Sequence, residues 1–175
     1  GNGPVLTTGS DRLVASIRQL ESQIDPKADG WPEDFFLFVS RTTPLINVDL
    51  LIQDDDGRTL LTWRSDRFYG TGWHVPGGII RFQEAAADRI RIVAERELGV
   101  AVDCEASPMF VQESIASHRL DRGHFISLLY QCRLASELDP QRRYSPAAPM
   151  PDQWAWHERS PETLLPEQAA YAAFM

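Results

Sequence analysis

Apolar residues at Leu13, Val14, Ile17, Leu20 and Ile24 recur at intervals of three and four, with Ser10-Asp11 just ahead of them. That spacing predicts an amphipathic helix capped by Ser10-Asp11 and ending before Pro26. Residues 25–34 contain Pro26, Gly30 and Pro32 and read as a connector, and the apolar run 35–39 reads as a strand or core insertion. From Ile46 the period becomes two: Ile46, Val48, Leu50 and Ile52 share one face, Asn47, Asp49, Leu51 and Gln53 the other. With a turn at Asp55-Asp56-Gly57 and a return over 59–63, residues 46–63 are expected to form a hairpin. The Gly-rich stretch 70–78 reads as loop, 85–98 as a helix stopped by Gly99, and 100–111 and 125–134 as strands. Residues 140–151 hold four of the twelve prolines, which predicts an irregular loop. A short strand over 154–157 and short helices over 161–165 and 167–174 complete an α/β (α+β) order. The chain divides into a helical extension, 1–40, packing on a domain of residues 41–175.

Composition narrows the partners. A chain of 175 residues suits one domain on a prior of ~150 per domain. Seventeen basic and twenty-five acidic residues give a charge of −8, so a general field cannot attract nucleic acid or an anionic membrane. An anionic ligand needs a local site. With 43% hydrophobic and 24% charged residues the chain is of ordinary globular make-up. Cys104 and Cys132 are too few for a disulfide framework and lack zinc-site spacing, so a reducing compartment is the default. The longest apolar stretch, 169–175, is far short of the ~20 residues of a membrane helix, and the chain reads as cytoplasmic.

One helix carries chemistry. At about 100° per residue, Val93, Ala86, Ile90, Ala94, Ala87 and Leu98 form one apolar stripe, with Arg91, Glu95, Asp88, Arg96 and Arg89 on the opposite arc. Glu97 falls inside the stripe. A carboxylate there needs a cation, an arginine or a donor network, unless it reaches solvent past the helix end. Upstream, Gly77-Gly78 permits unusual backbone angles and close ligand approach. A glycine carbonyl and Glu97 could converge on one hard cation such as Mg²⁺, which takes further ligands from a substrate phosphate.

The stretch Gly78-x₅-Glu84-x₁₂-Glu97-x-Gly99-Val100 resembles the Nudix box, a loop–helix–loop that binds divalent metal and diphosphates. It departs from the usual G-x₅-E-x₇-R-E-U-x-E-E-x-G-U, in which U is apolar: Ile92-Val93 stand for R-E, and Arg96 for the first acid of the later pair. A depleted box of this kind is similar to the GDP-mannose mannosyl hydrolase branch. The similarity extends through Pro44-Leu45-Ile46-x₂-Asp49, Leu60-Leu61-x₂-Arg64 and Gly72-Trp73-x-Val75-Pro76-Gly77-Gly78.

The resemblance implies an α/β/α sandwich with a mixed central sheet, a homodimer, and a Mg²⁺-dependent hydrolase, with Mn²⁺ as an alternative ion. Water would attack the anomeric carbon of a GDP-mannose-like nucleotide sugar, giving nucleoside diphosphate and free sugar. By position, Gly77, Glu97 and Gln168 would hold the metal. Arg64, assisted by Arg67, would contact the diphosphate, Asp49 a sugar hydroxyl or an arginine, and Trp73 the substrate. The branch's arginine two residues after the first glycine is Ile79 here, and its late-loop histidine is absent from Leu165-Pro166-Glu167-Gln168. Glu167 is one candidate general base, or with Gln168 a cap of the final helix. His118, Asp121 and His124 in a loop before a strand are others. Two further functions fit the residues: a conventional pyrophosphohydrolase on another nucleoside diphosphate derivative, and a non-catalytic nucleotide-sugar-binding or regulatory domain.

Overall fold

The fold is organised around one strand, β1 (Leu45–Ile52), whose alternating side chains serve two cores. In this computed structural model, which describes residues 9–28, 30–67 and 69–175, Val48, Leu50 and Ile52 point into one apolar cluster and Leu51 into a second. The period-two pattern thus marks a strand buried on both sides. β1 pairs antiparallel with β4 (Gly77–Ile79) and parallel with β7 (His124–Leu134). β7 also carries β5 (Val102–Cys104) and β6 (Phe110–Ile115), giving a mixed five-stranded sheet. A smaller antiparallel sheet runs in the order β3 (Gly70–His74), β2 (Thr59–Asp66), β8 (Trp154–His157).

The hairpin expected over 46–63 does not form. β1 and β2 belong to different sheets and meet at a single bridge between Gln53 and Thr59. Both edges of β1 are already occupied by β4 and β7, so the turn at Gly57 carries the chain from one sheet to the other. The glycine stretch 70–78 is also not loop, since it supplies β3 and β4. The region 100–111 splits into β5 and the start of β6, and 161–165 is turn rather than helix.

α3 (Ala86–Val93) lays Ile90 and Val93 on the first cluster and continues as a π-helical turn, Ala94–Leu98, which Gly99 ends at φ 68°. The C-terminal 3₁₀ segment, Pro166–Phe174, places Tyr171 in the second cluster. In the extension, α1 (Gly9–Glu21) starts one residue before Ser10, so Ser10 and Asp11 lie inside its first turn rather than capping it; residues 1–8 lie outside the described part. α1 buries none of its residues. The run expected as a strand or core insertion is instead α2 (Glu33–Ser40), led by Pro32, with two acids in its first turn facing the helix dipole. Ser40 Oγ accepts from the Arg122 backbone N–H at 3.0 Å, and Arg41 pairs with Asp121 at 2.5 Å, which ties this helix to the domain. No helix among the described residues is long and apolar enough to cross a membrane.

Cys104 and Cys132 face each other in the β5–β7 register and are joined by a disulfide, against the expectation of reduced cysteines. Antiparallel register brings together two thiols whose spacing in sequence says nothing of their contact.

Candidate active site

Two glycines let the helix and β1 close on β4. A Cβ on Gly78 would stand 2.7 Å from Val93 Cγ2, and one on Gly77 would strike the Asp49 carboxylate and stand 2.8 Å from the Val48 carbonyl. Neither residue has a positive φ. Their role is close approach, not the unusual backbone angle that the sequence suggested.

Beneath Gly78 lies Arg89, 3% exposed, contrary to its place on the solvent arc of the helical projection. Its Nε and Nη2 donate to Glu84 Oε1 and Oε2 at 2.7 and 2.8 Å, a two-pronged pair. This interaction holds the Glu84 carboxyl below the usual range against the opposing effect of burial. Glu97, whose side chain is 18% exposed, turns inward as the donor-network reading required. Its Oε2 accepts from the Gly77 N–H at 2.9 Å, and its Oε1 lies 3.6 Å from His74 Nε2. His74 Nδ1 lies 3.0 Å from the Thr62 carbonyl, which can only accept, so Nδ1 carries a proton, and Nε2 faces Glu97.

A cleft opens between the two sheets beside these groups. Asp49 lines its floor, 5% exposed, accepting from Tyr171 O–H at 2.5 Å and Asn47 Nδ2 at 2.9 Å. Burial pushes its pKa up to about 6, with nearby Glu97 adding to the rise and the two hydrogen bonds and His74 opposing it. Arg64, Arg119 and Arg122 line the same cleft, their guanidiniums 4.8, 5.1 and 5.2 Å from the ring centre of Tyr69. Arg64 also pairs with Asp66 at 2.9 Å. At the rim, Arg119 donates to Glu167 Oε1 at 3.1 Å, while Glu167 Oε2 is buried with no hydrogen-bond partner. Gln168 Oε1 accepts from the Val75 N–H at 2.8 Å.

The structure therefore gathers Asp49, Arg64, Gly77, Glu97, Glu167 and Gln168 at one place. The other expected residues, His118 among them, do not line the cleft. Arg67 lies in the turn after the end of β2, is 64% exposed on its side chain and pairs with Glu33 of α2. Trp73 is core, edge-on to Trp63, Tyr144 and His157. His124 meets Glu113 across the β6–β7 register at 3.3 Å and does not line the cleft, and Asp121 is taken by Arg41. Sequence reasoning passed over His74, Arg89, Arg119, Arg122 and Tyr171. His74 occupies the open position of the matched segment ahead of Val75, so the match itself did not mark it.

The donors fit a single hard cation and no cluster. Glu97 and Gln168 bring oxygen atoms to either end of the segment Val75–Gly77, whereas Glu84 is held by Arg89 and Glu95 pairs with Arg91 on the surface at 3.5 Å. Among the described residues no group of three His, Cys, Asp or Glu side chains is placed to hold a metal. One carboxylate with neutral oxygens suits Mg²⁺ that draws its remaining ligands from substrate and water.

Comparison with known proteins agrees with this architecture. The sequence model of the NUDIX domain matches residues 43–171. The low-salt glycan biosynthesis protein Agl8 of Haloferax volcanii is 34% identical over 85 residues, which are 49% of this chain and 54% of that protein. The match thus spans about half the length of that curated relative. Among solved structures, the MutT NUDIX hydrolase of Burkholderia pseudomallei superposes with a TM-score of 0.60 at 21% identity, covering 76% of this chain and 98% of that one. A UDP-X diphosphatase superposes with a TM-score of 0.51 at 18% identity over 90% of this chain and 74% of its own.

Proposed function

Because the chain belongs to the Nudix family, we propose that it is a Mg²⁺-dependent hydrolase of a nucleotide sugar that releases nucleoside diphosphate and free sugar. The observation that carries this is the reduction of the box to one inward carboxylate. Glu84 is taken up by Arg89, and Val93 and Arg96 stand where the family pattern has further acids, Ile92 where it has an arginine. A site with one metal and several arginines stabilises a departing diphosphate better than it activates water at phosphorus. The glycan biosynthesis named for the Haloferax volcanii relative is in keeping with a sugar-nucleotide substrate.

Glu97, with the Gly77 carbonyl and Gln168, would hold the metal, which supplies charge neutralisation for the leaving diphosphate. Arg64, Arg119 and Arg122 add positive charge along the same wall and offset the loss of an arginine at Ile79. Asp49, with Asn47 and Ser127 beside it, accepts from sugar hydroxyls; Ser127 Oγ donates to Asn47 Oδ1 at 2.7 Å, which leaves the Asn47 amide to donate to Asp49. Glu167 Oε2, buried and lacking a partner, takes the proton of the attacking water.

Incubation with Mg²⁺ and a panel of nucleotide sugars tests the reading by product. Free sugar with nucleoside diphosphate is expected, and sugar phosphate with nucleoside monophosphate overturns it in favour of P–O–P cleavage. Binding without product, undiminished in Glu97→Gln, points to a non-catalytic binding domain.

A further inference from the structure

A second cleft abuts the first. Arg64, Arg122, Gly78 and Ile79 line both, so the two form one continuous surface with two arginines at the junction. The chambers differ in chemistry. The inner one ends on Asp49, Asn47 and Ser127, a set of acceptors and donors suited to hydroxyl groups. The outer one is walled by Trp31 and Phe36 from the extension, facing Ile79 and Arg81.

The aromatic wall is built rather than incidental. The indole N–H of Trp31 donates to the Asp25 carbonyl at 3.1 Å, and Phe35 meets the ring in an edge contact at 5.0 Å, which together fix its orientation. Phe36 lies beneath the Arg122 guanidinium at 5.4 Å. The ion pairs Arg67–Glu33 and Arg41–Asp121 hold α2 against the domain from both ends. A held aromatic ring beside an apolar side chain and two guanidiniums is a surface for a flat, π-faced group joined to an anion.

We propose that the extension builds a nucleoside subsite: Trp31 and Phe36 receive the base, Arg64 and Arg122 take the diphosphate at the junction, and the sugar enters the inner cleft. This assignment rests on the reading of the substrate as a nucleotide sugar and gives it an orientation. It assigns a function to residues 30–36, which the NUDIX model match does not include.

The test is calorimetric titration of the whole chain, in Mg²⁺, with GDP, UDP and inorganic pyrophosphate. Trp31→Ala is expected to weaken both nucleotides about tenfold or more and leave pyrophosphate unchanged, Trp31→Phe to restore most of the loss, and Arg122→Met to weaken all three. Trp31→Leu replaces the alanine variant if that does not melt cooperatively. Trp31 variants that bind GDP and UDP like the parent, or that lose pyrophosphate equally, overturn the subsite. A parent chain that binds none of the three overturns both the subsite and the proposed reaction. A parent chain that binds nucleotides through Trp31 but frees no sugar overturns the reaction alone and supports the subsite.

Discussion

Arg89 grips Glu84 with two hydrogen bonds of 2.7 and 2.8 Å while its own side chain is 4% exposed. The pair closes the loop between β4 and α3, one helical turn before position 92, where the family pattern has an arginine and this chain has Ile92. Arg89→Met should leave a largely buried carboxylate unpaired and cost about 3 kcal/mol or more. Adding Glu84→Gln should recover part of it. Urea unfolding of the single and double variants checks this, and losses that simply add would show that the two residues act separately.

Glu97 is expected to matter to chemistry rather than to folding. In Glu97→Gln the amide oxygen can still accept from the Gly77 N–H, so the melting temperature should hold. Removal of the charge should cost about a hundredfold in kcat/KM and abolish the response to added Mg²⁺. Steady-state rates across a Mg²⁺ titration, beside a thermal melt, separate the two roles.

What could be read in the sequence follows from how local each signal is. The period-two run in β1, the inward turn of Glu97 after α3, and the Gly99 stop are set within a few residues, and the structure keeps them; the apolar stripe is kept only in part, since Ala87 is exposed. Strand partners are long-range: β1 and β2 look like a hairpin because the turn between them is well formed, yet β4 and β7 outcompete β2 for the edges of β1. Gly77 and Gly78 read as loop because their lack of side chain is needed for neighbours, Asp49 and Val93, that no window of sequence contains. Arg89 falls on the polar arc of the projection because a guanidinium is assigned to water until its carboxylate is known. Arg119 and Arg122 sit in a loop without periodicity, and only the folded chain brings them to Tyr69.

Asp49 makes stability depend on pH. Its pKa lies at about 6 in the folded chain against an ordinary 3.8, chiefly through burial. A raised carboxyl pKa means that the protonated form favours the fold: the contribution is fully present below 3.8 and is lost as pH rises through about 6. The shift of about two pKa units corresponds to up to about 3 kcal/mol. Asp49→Asn should remove this slope, so that unfolding free energies at pH 4 and pH 7 differ less than in the parent chain. A slope retained in the variant would assign it to another group.

The Cys104–Cys132 bridge closes a loop of 28 residues in sequence separation. Chain entropy gives such a cross-link about 3 to 4 kcal/mol. Reduction should therefore lower the melting temperature without changing the product, because neither cysteine lines the cleft. Mass measurement of the alkylated chain before and after reduction shows directly whether the bond is present.

Glu167 separates a catalytic from a merely structural C-terminal segment. It follows Pro166 at the start of the 3₁₀ segment, where an acid also favours the helix end, and its Oε1 accepts from Arg119. Were capping its whole role, Glu167→Gln would shift the melting temperature slightly and leave kcat within a few fold. As the base, its loss should lower kcat by about 10²- to 10⁴-fold with nucleotide affinity retained. Arg119→Met offers the complementary result. It releases Glu167 from its ion pair but removes a diphosphate contact, so KM should rise while kcat stays within a few fold. An Arg119 variant that instead loses kcat as far as Glu167→Gln does, with KM unchanged, would make the ion pair, and not the diphosphate contact, the role of Arg119.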